Sequence, residues 1–196
     1  RQKPLQRLPG KGRGRARSER VLVVFGGSDP AELTPGVCER LLEADGSLTL
    51  EVVTGPLMSD EVRGRVADIA AAHAEGLTVH AGLPSLAALF ASATLAVSAG
   101  GITKYELALF GVPAVLVSVA DNQVQSTEGM AALEACAYAG RAFGPDAVGP
   151  AEIVLETVGL LADSERRGKI AAAARRTVDG SGADRIAERV VALLGV

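Results

Sequence analysis

After residue 20, short apolar runs rich in Val, Leu and Ala alternate with stretches of helical patterning. No other feature narrows the fold as much, because such alternation buries every strand beneath crossover helices. Strands are expected at residues 21–25, 48–53, 77–80, 94–98 and 112–117, with a last one at 141–143. Helices are expected from Thr34, as cap, with Pro35 in the first turn, then over 60–73, 84–92, 103–110 (ended by Gly111) and 125–138. Three more helical segments run from Pro150 to Leu194. The fourth and fifth strands are continuous apolar runs, as strands covered on two faces should be. The fold expected is α/β, a Rossmann-like parallel sheet flanked by helices.

Composition agrees with that architecture and excludes others. Only 3% of the 196 residues are aromatic and Trp is absent, so the core must be Val, Leu, Ile and Ala, while 23 glycines supply turns. No apolar run reaches the roughly 18 to 20 residues that cross a bilayer, and the amino end lacks a signal-peptide layout. A soluble, cytoplasmic protein is the expectation. Cys38 and Cys136 have no CxxC spacing, fall in segments patterned as helical, and read as buried reduced thiols. His73 and His80 are isolated, neither with a partner that would make it a metal site or a catalytic base. No metal and no cofactor is expected.

The net charge of −3 conceals a division. Residues 1–20 hold eight Lys or Arg and one acid, whereas the other 176 hold twelve basic and twenty-two acidic groups. A basic arm therefore precedes an acidic domain at 21–196. The arm lacks aromatic residues for stacking and the domain would repel a polyanion, so a linker is preferred to a nucleic-acid tail. With Arg first and no strand before Val21, the chain reads as part of a longer protein.

In parallel sheets of this kind ligands bind beyond the carboxyl ends of the strands. The loops there are FGGSDPAELTP, TGP, HAGLPS, SAGGIT and VADNQ. In SAGGITKYE, Gly100 and Gly101 would let backbone approach a ligand, and the amides of a helix starting near Thr103 would attract an anion. Glu106, one turn in, could accept hydrogen bonds from the two hydroxyls of a ribose. The same residues fit a reciprocal helix cap between Thr103 and Glu106, worth about 1 kcal/mol. Gly26, Gly27, Ser28 and Asp29 are similarly ambiguous between a ligand loop and a turn. Asn122 and Gln123, with Asp121, could bind sugar hydroxyls or cap the next helix.

Three segments carry a resemblance: VLVVFGGSDPAELT, the long stretch AGLPSLAALFASATLAVSAGGITKYELALFGVPAVLVSVADNQ, and VDGSGADRIAERV. They resemble the carboxyl-terminal domain of the UDP-sugar hydrolase of pseudaminic acid biosynthesis and its spore-coat polysaccharide relatives. More distantly they are similar to the N-acetylglucosaminyltransferase that completes lipid II. These proteins have the GT-B architecture, two Rossmann-like domains facing a cleft, and the likeness extends from Val21 nearly to the end of the chain.

The resemblance implies a nucleotide-sugar-binding half that holds UDP or a UDP-sugar. Glu106 would bind the ribose, Gly100, Gly101, Ile102 and Thr103 would line the diphosphate, and Leu83 would lie near the uracil. Gly27 and Ser28, in the loop where Gly26 and Asp29 are candidates from the sequence itself, would face phosphate or sugar, as would Asn122 and Gln123. It further implies hydrolysis, water attacking the sugar C1 and expelling UDP, with the catalytic groups in an amino-terminal domain or partner chain. The alternatives are the donor-binding half of a UDP-sugar-dependent glycosyltransferase, or a binding module without chemistry. Tyr105 replaces the Trp common in the hydrolases and Asp121 the common Glu, so the sugar is left open. Lys104 reads as a solvated helix position, with added charge near the phosphates as the other reading.

Overall fold

In the computed structural model, which describes residues 19–194, six parallel strands form one sheet in the order β3-β2-β1-β4-β5-β6. The strands are β1 Arg20–Val24, β2 Thr49–Thr54, β3 Leu77–Ala81, β4 Leu95–Ala99, β5 Ala114–Ser118 and β6 Ala137–Arg141. The helices are α1 Leu33–Ala44, α2 Asp60–Ala72, α3 Ala87–Ser92, α4 Thr103–Phe110, α5 Asp121–Ala132, α6 Pro150–Ala162, α7 Ser164–Thr177 and α8 Gly182–Leu194. The basic arm expected at the amino end lies, up to residue 18, outside the described residues.

Side chains alternate between two cores, as the twofold period of a strand requires. Val21, Val23, Leu50, Val52, Leu95, Val97, Val115 and Val117 face α1, α2 and α6. Leu22, Val24, Ala96 and Leu116 face the other way, against Phe90 of α3, Leu107 and Ala108 of α4, Met130 of α5 and Ala173 of α7. Strands β4 and β5 are buried at every position. That explains their unbroken apolar sequences.

The first five strands fall within a residue or two of their expected places, and the last strand and two helices do not. Helix α5 begins at Asp121, so the polar run after β5 is its first turn. It stops at Ala132 because Glu134 turns left-handed at φ 56°, which frees 137–141 to become β6. Cys136 thus lies in the turn before a strand, not in a helix. Helix α3 begins at Ala87 instead of Pro84, since the Ser85 hydroxyl accepts the Ala87 amide and Leu86 takes the cap position.

His80 has a partner that its sequence position does not reveal. Its Nε2 lies 2.7 Å from Glu51 Oε2, while Arg20 donates to Glu51 Oε1 at 2.9 Å. This ionic cluster ties β1, β2 and β3 together on the less covered flank of the sheet. Among the described residues no three His, Cys, Asp or Glu are grouped to hold a metal ion. No described helix is long and apolar enough to cross a membrane.

Both thiols are buried, and burial pushes the pKa of Cys38 and of Cys136 up to about 12. Since the thiolate is the reactive form, the folded protein should resist an aromatic disulfide reagent at pH 8, and both cysteines should react once urea unfolds it. Prompt labelling of either thiol in the folded state would contradict this burial.

Candidate functional site

The strand order reverses between β1 and β4, and loops that depart in opposite directions there leave a crevice at the carboxyl edge of the sheet. A cleft of about 490 Å³ occupies this point. Its walls are Phe25, Gly26, Gly27, Ser28 and Pro30 after β1, Ser98 and Ala99 at the end of β4 with Gly101, Ile102 and Thr103 beyond it, and Val119, Ala120, Asn122 and Gln123 after β5. That volume is within the range of small-molecule sites, about 300 to 1,000 Å³. Another hollow, of about 510 Å³, is lined by α8 alone and has no convergent loops.

The loop after β1 is a strained turn held by one carboxylate. Gly26 has φ 80°, a conformation that costs glycine little, while Asp29 and Glu32 take φ 44° and 51° without that freedom. Asp29 is 1% exposed and faces inward. Its Oδ1 accepts the Leu33 amide at 3.0 Å, and its Oδ2 accepts the Thr34 amide at 2.9 Å and the Thr34 hydroxyl at 2.6 Å. The carboxylate therefore caps α1 from the preceding turn. Thr34 lies inside the helix as a donor to Asp29, which corrects its assignment as the cap. Asp29 does not line the cleft; its hold on the turn leaves Gly27 and Ser28 exposed at the rim.

The loop after β4 leads into α4 without the reciprocal cap that its sequence permits. The cap position is Ile102, no side chain caps the helix, and the side chains of Thr103 and Glu106 make no hydrogen bond among the described residues. Tyr105, in the first turn, donates its amide to Ile102 O at 2.9 Å, while no side chain caps the amides of Ile102, Thr103 and Lys104, which lie at the positive end of the helix dipole. Ile102 and Thr103 face the cleft, and Glu106, four and three positions on, projects from the same side of the helix. Glu106 is exposed.

Gly100 and Gly101 do different work. Gly100 is buried, its amide donates to Val117 O at 2.8 Å, and a Cβ there would collide with Thr127 Oγ1. It is the close-packed neck of the loop, behind the cleft wall. At Gly101 a Cβ would meet only Gln123 Nε2, at 3.9 Å. Gln123 Oε1 accepts the Val119 amide at 3.0 Å, so its Nε2 is the end that lies toward Gly101.

Lys104 was expected in solvent and is instead 3% exposed. Its Nζ donates to Gly100 O and to Ser126 Oγ, both at 2.6 Å. Leu83 is 41% exposed in the loop after β3 and does not line the cleft. Sequence reasoning missed Phe25, Pro30, Ser98, Ala99, Val119 and Ala120 as walls. Their only signal is position, at or just beyond the ends of strands.

These contacts set the order of three stability effects. Gly100→Ala should cost about 1 to 3 kcal/mol through overpacking against Thr127. Gly101→Ala, with open space in front of it, should stay within about 0.5 kcal/mol of wild type. Asp29→Ala should cost about 2 to 4 kcal/mol, because it orphans two buried amides and a hydroxyl. Urea denaturation checks all three; an unchanged midpoint for Gly100→Ala or Asp29→Ala would contradict the packing described.

No protein-family model matches the chain. Over 184 residues it is 32% identical to the UDP-N-acetylglucosamine--N-acetylmuramyl-(pentapeptide) pyrophosphoryl-undecaprenol N-acetylglucosamine transferase of Salinibacter ruber. That span is 89% of this chain and 46% of that protein, and the chain spans less than half the length of the curated relatives it matches. Among solved structures, the S. aureus MnaA-UDP co-structure superposes with a TM-score of 0.69 at 14% identity, covering 91% of this chain and 47% of that one. MurG of Acinetobacter baumannii superposes with a TM-score of 0.56 at 22% identity, covering 86% of this chain and 51% of that one. The chain has an α/β Rossmann-like fold, a parallel sheet flanked by helices, of the GT-B kind.

Proposed function

We propose that this chain is the donor-binding half of a UDP-sugar-dependent glycosyltransferase, and that the cleft between β1, β4 and β5 seats the UDP. The observation that carries the reading is the uncapped amino end of α4, presented behind Gly101 at the switch point of the sheet. The Salinibacter ruber relative is named as a sugar transferase, and the S. aureus neighbour contains UDP. The first supports transfer, the alternative raised from the sequence, over the hydrolysis expected first, and the second supports UDP as the ligand. Hydrolysis would use the same cradle with water in place of the acceptor.

The chemistry divides between two halves. An acceptor oxygen forms a bond to the sugar C1 as the bond from C1 to the β-phosphate oxygen breaks, and UDP leaves with the electron pair. Negative charge builds on the diphosphate during that step. The amides of Gly101, Ile102 and Thr103 and the Gln123 Nε2 are held in place beforehand by Gly100, Val119 and Thr127, so they stabilise this charge with little reorganisation. Glu106, whose side chain has no partner among the described residues, accepts the two ribose hydroxyls, and the exposed Leu83 borders the base. Gly26, Gly27, Ser28 and Asn122 face phosphate or sugar, with Asp29 as their support. The acceptor site and the base that deprotonates the acceptor belong to an amino-terminal domain or a partner chain. We place the reaction in the cytoplasm.

Calorimetric titration tests the reading. UDP should bind at least about tenfold more tightly than uridine, as charge-assisted hydrogen bonds to a diphosphate require. Glu106→Ala should weaken UDP by about tenfold and fold normally, since its side chain makes no hydrogen bond or ion pair among the described residues. Equal affinity for UDP and uridine, or unchanged UDP affinity in Glu106→Ala, would overturn the assignment.

A further inference from the structure

Lys104 has more around it than helix packing needs. It is on the core-facing side of α4 with Leu107 and Ala108, where an apolar residue would be expected. Its Nζ donates to Gly100 O and Ser126 Oγ at 2.6 Å each and stands 4.9 Å from the centroid of the Tyr105 ring. No carboxylate among the described residues forms an ion pair with it. Cys136 is close enough to feel the ammonium, but burial holds that thiol at about 12, so it stays neutral and supplies no countercharge.

A buried cation without an anion is unfavourable in any protein interior, and an arrangement that retains one gains when an anion arrives nearby. Lys104 is bonded to the carbonyl of Gly100, one peptide unit behind the cleft wall of Gly101, Ile102 and Thr103. Through Ser126, whose hydroxyl donates to Gln123 O at 3.1 Å, it also braces the turn that presents the Gln123 amide. Thr127 donates to that same carbonyl at 2.7 Å. Both walls of the anion seat therefore meet at one ammonium group.

We propose that Lys104 is the positioning residue that makes this cleft selective for the charge of a diphosphate. Its buried ammonium fixes Gly100 and Ser126 and lends an uncompensated positive charge to the seat formed by Gly101, Ile102, Thr103 and Gln123. It touches no part of the nucleotide; it acts through the loop and through its field. The inference rests on the UDP reading above and specifies which property of UDP the site selects.

The experiment is calorimetry with UDP, UMP and uridine at low and high salt, on wild type, Lys104→Met, Lys104→Arg and Ser126→Ala. Lys104→Met should lose UDP affinity by about tenfold or more, lose less for UMP and leave uridine unchanged, with a shallower salt dependence for UDP. Lys104→Arg should recover most of the preference for UDP. Equal losses for UDP and uridine in a folded Lys104→Met, or no loss at all, would overturn the proposal. Because a chain deprived of its buried lysine can unfold, Ser126→Ala provides an independent arm. It removes one of the two bonds that fix Nζ and should lower the UDP-to-uridine preference severalfold; an unchanged preference there contradicts the proposal. A wild type that does not distinguish UDP from uridine would contradict the assignment of the site itself.

Discussion

Burying both faces of a parallel sheet forces every connection to pass over the sheet and return, so all strands end at the same edge. The cleft follows from that constraint. Helix α1 leaves β1 toward one face and α4 leaves β4 toward the other, and the gap between their first turns cannot be filled by either. The protein then has to satisfy two helix starts that follow loops lining one cleft. It caps α1 internally with the Asp29 carboxylate and leaves α4 without a side-chain cap. That asymmetry is the ground for the proposal that the topological gap seats an anion.

The residues that support the cleft lie mostly behind its walls. Asp29, Gly100, Thr127, Ser126 and Lys104 are buried or half-buried, and each fixes a loop whose next residue faces the cleft. A rigid cradle of this kind reduces the conformational entropy that binding must overcome, and it keeps the amides aimed while charge develops on a leaving group. The same logic accounts for the positive φ angles at Asp29 and Glu32, which the hydrogen bonds around the Asp29 carboxylate hold in place.

Much of this was legible in the sequence, and the exceptions have physical causes. Continuous apolar runs located β4 and β5, and the glycine-rich strand ends located the rim, because both patterns are local. The role of Asp29 was not legible. A carboxylate four residues before a helix can bind a ligand or turn back to cap it, and only the fold of the turn decides. Thr103 with Glu106 had the spacing of a capping box, yet the helix dispenses with it, since spacing shows what can bond and not what does. Lys104 is the instructive case. The period of α4 put it on the face of Leu107 and Ala108, so burial was readable, but the preference of lysine for solvent outweighed the period in the reading. The Glu51–His80 contact joins adjacent strands from distant parts of the chain, and no local pattern reports it.

The central claim is that a diphosphate occupies the mouth of α4. Amide chemical-shift mapping of the folded chain during titration with UDP, with uridine as the reference, tests it most directly. The account predicts that the largest shifts specific to UDP fall on the amides of Gly101, Ile102, Thr103 and Gly27 and on the Gln123 side-chain amide, with α8 unmoved. Shifts centred on α8 or scattered over the surface, or a UDP pattern no different from that of uridine, would contradict it.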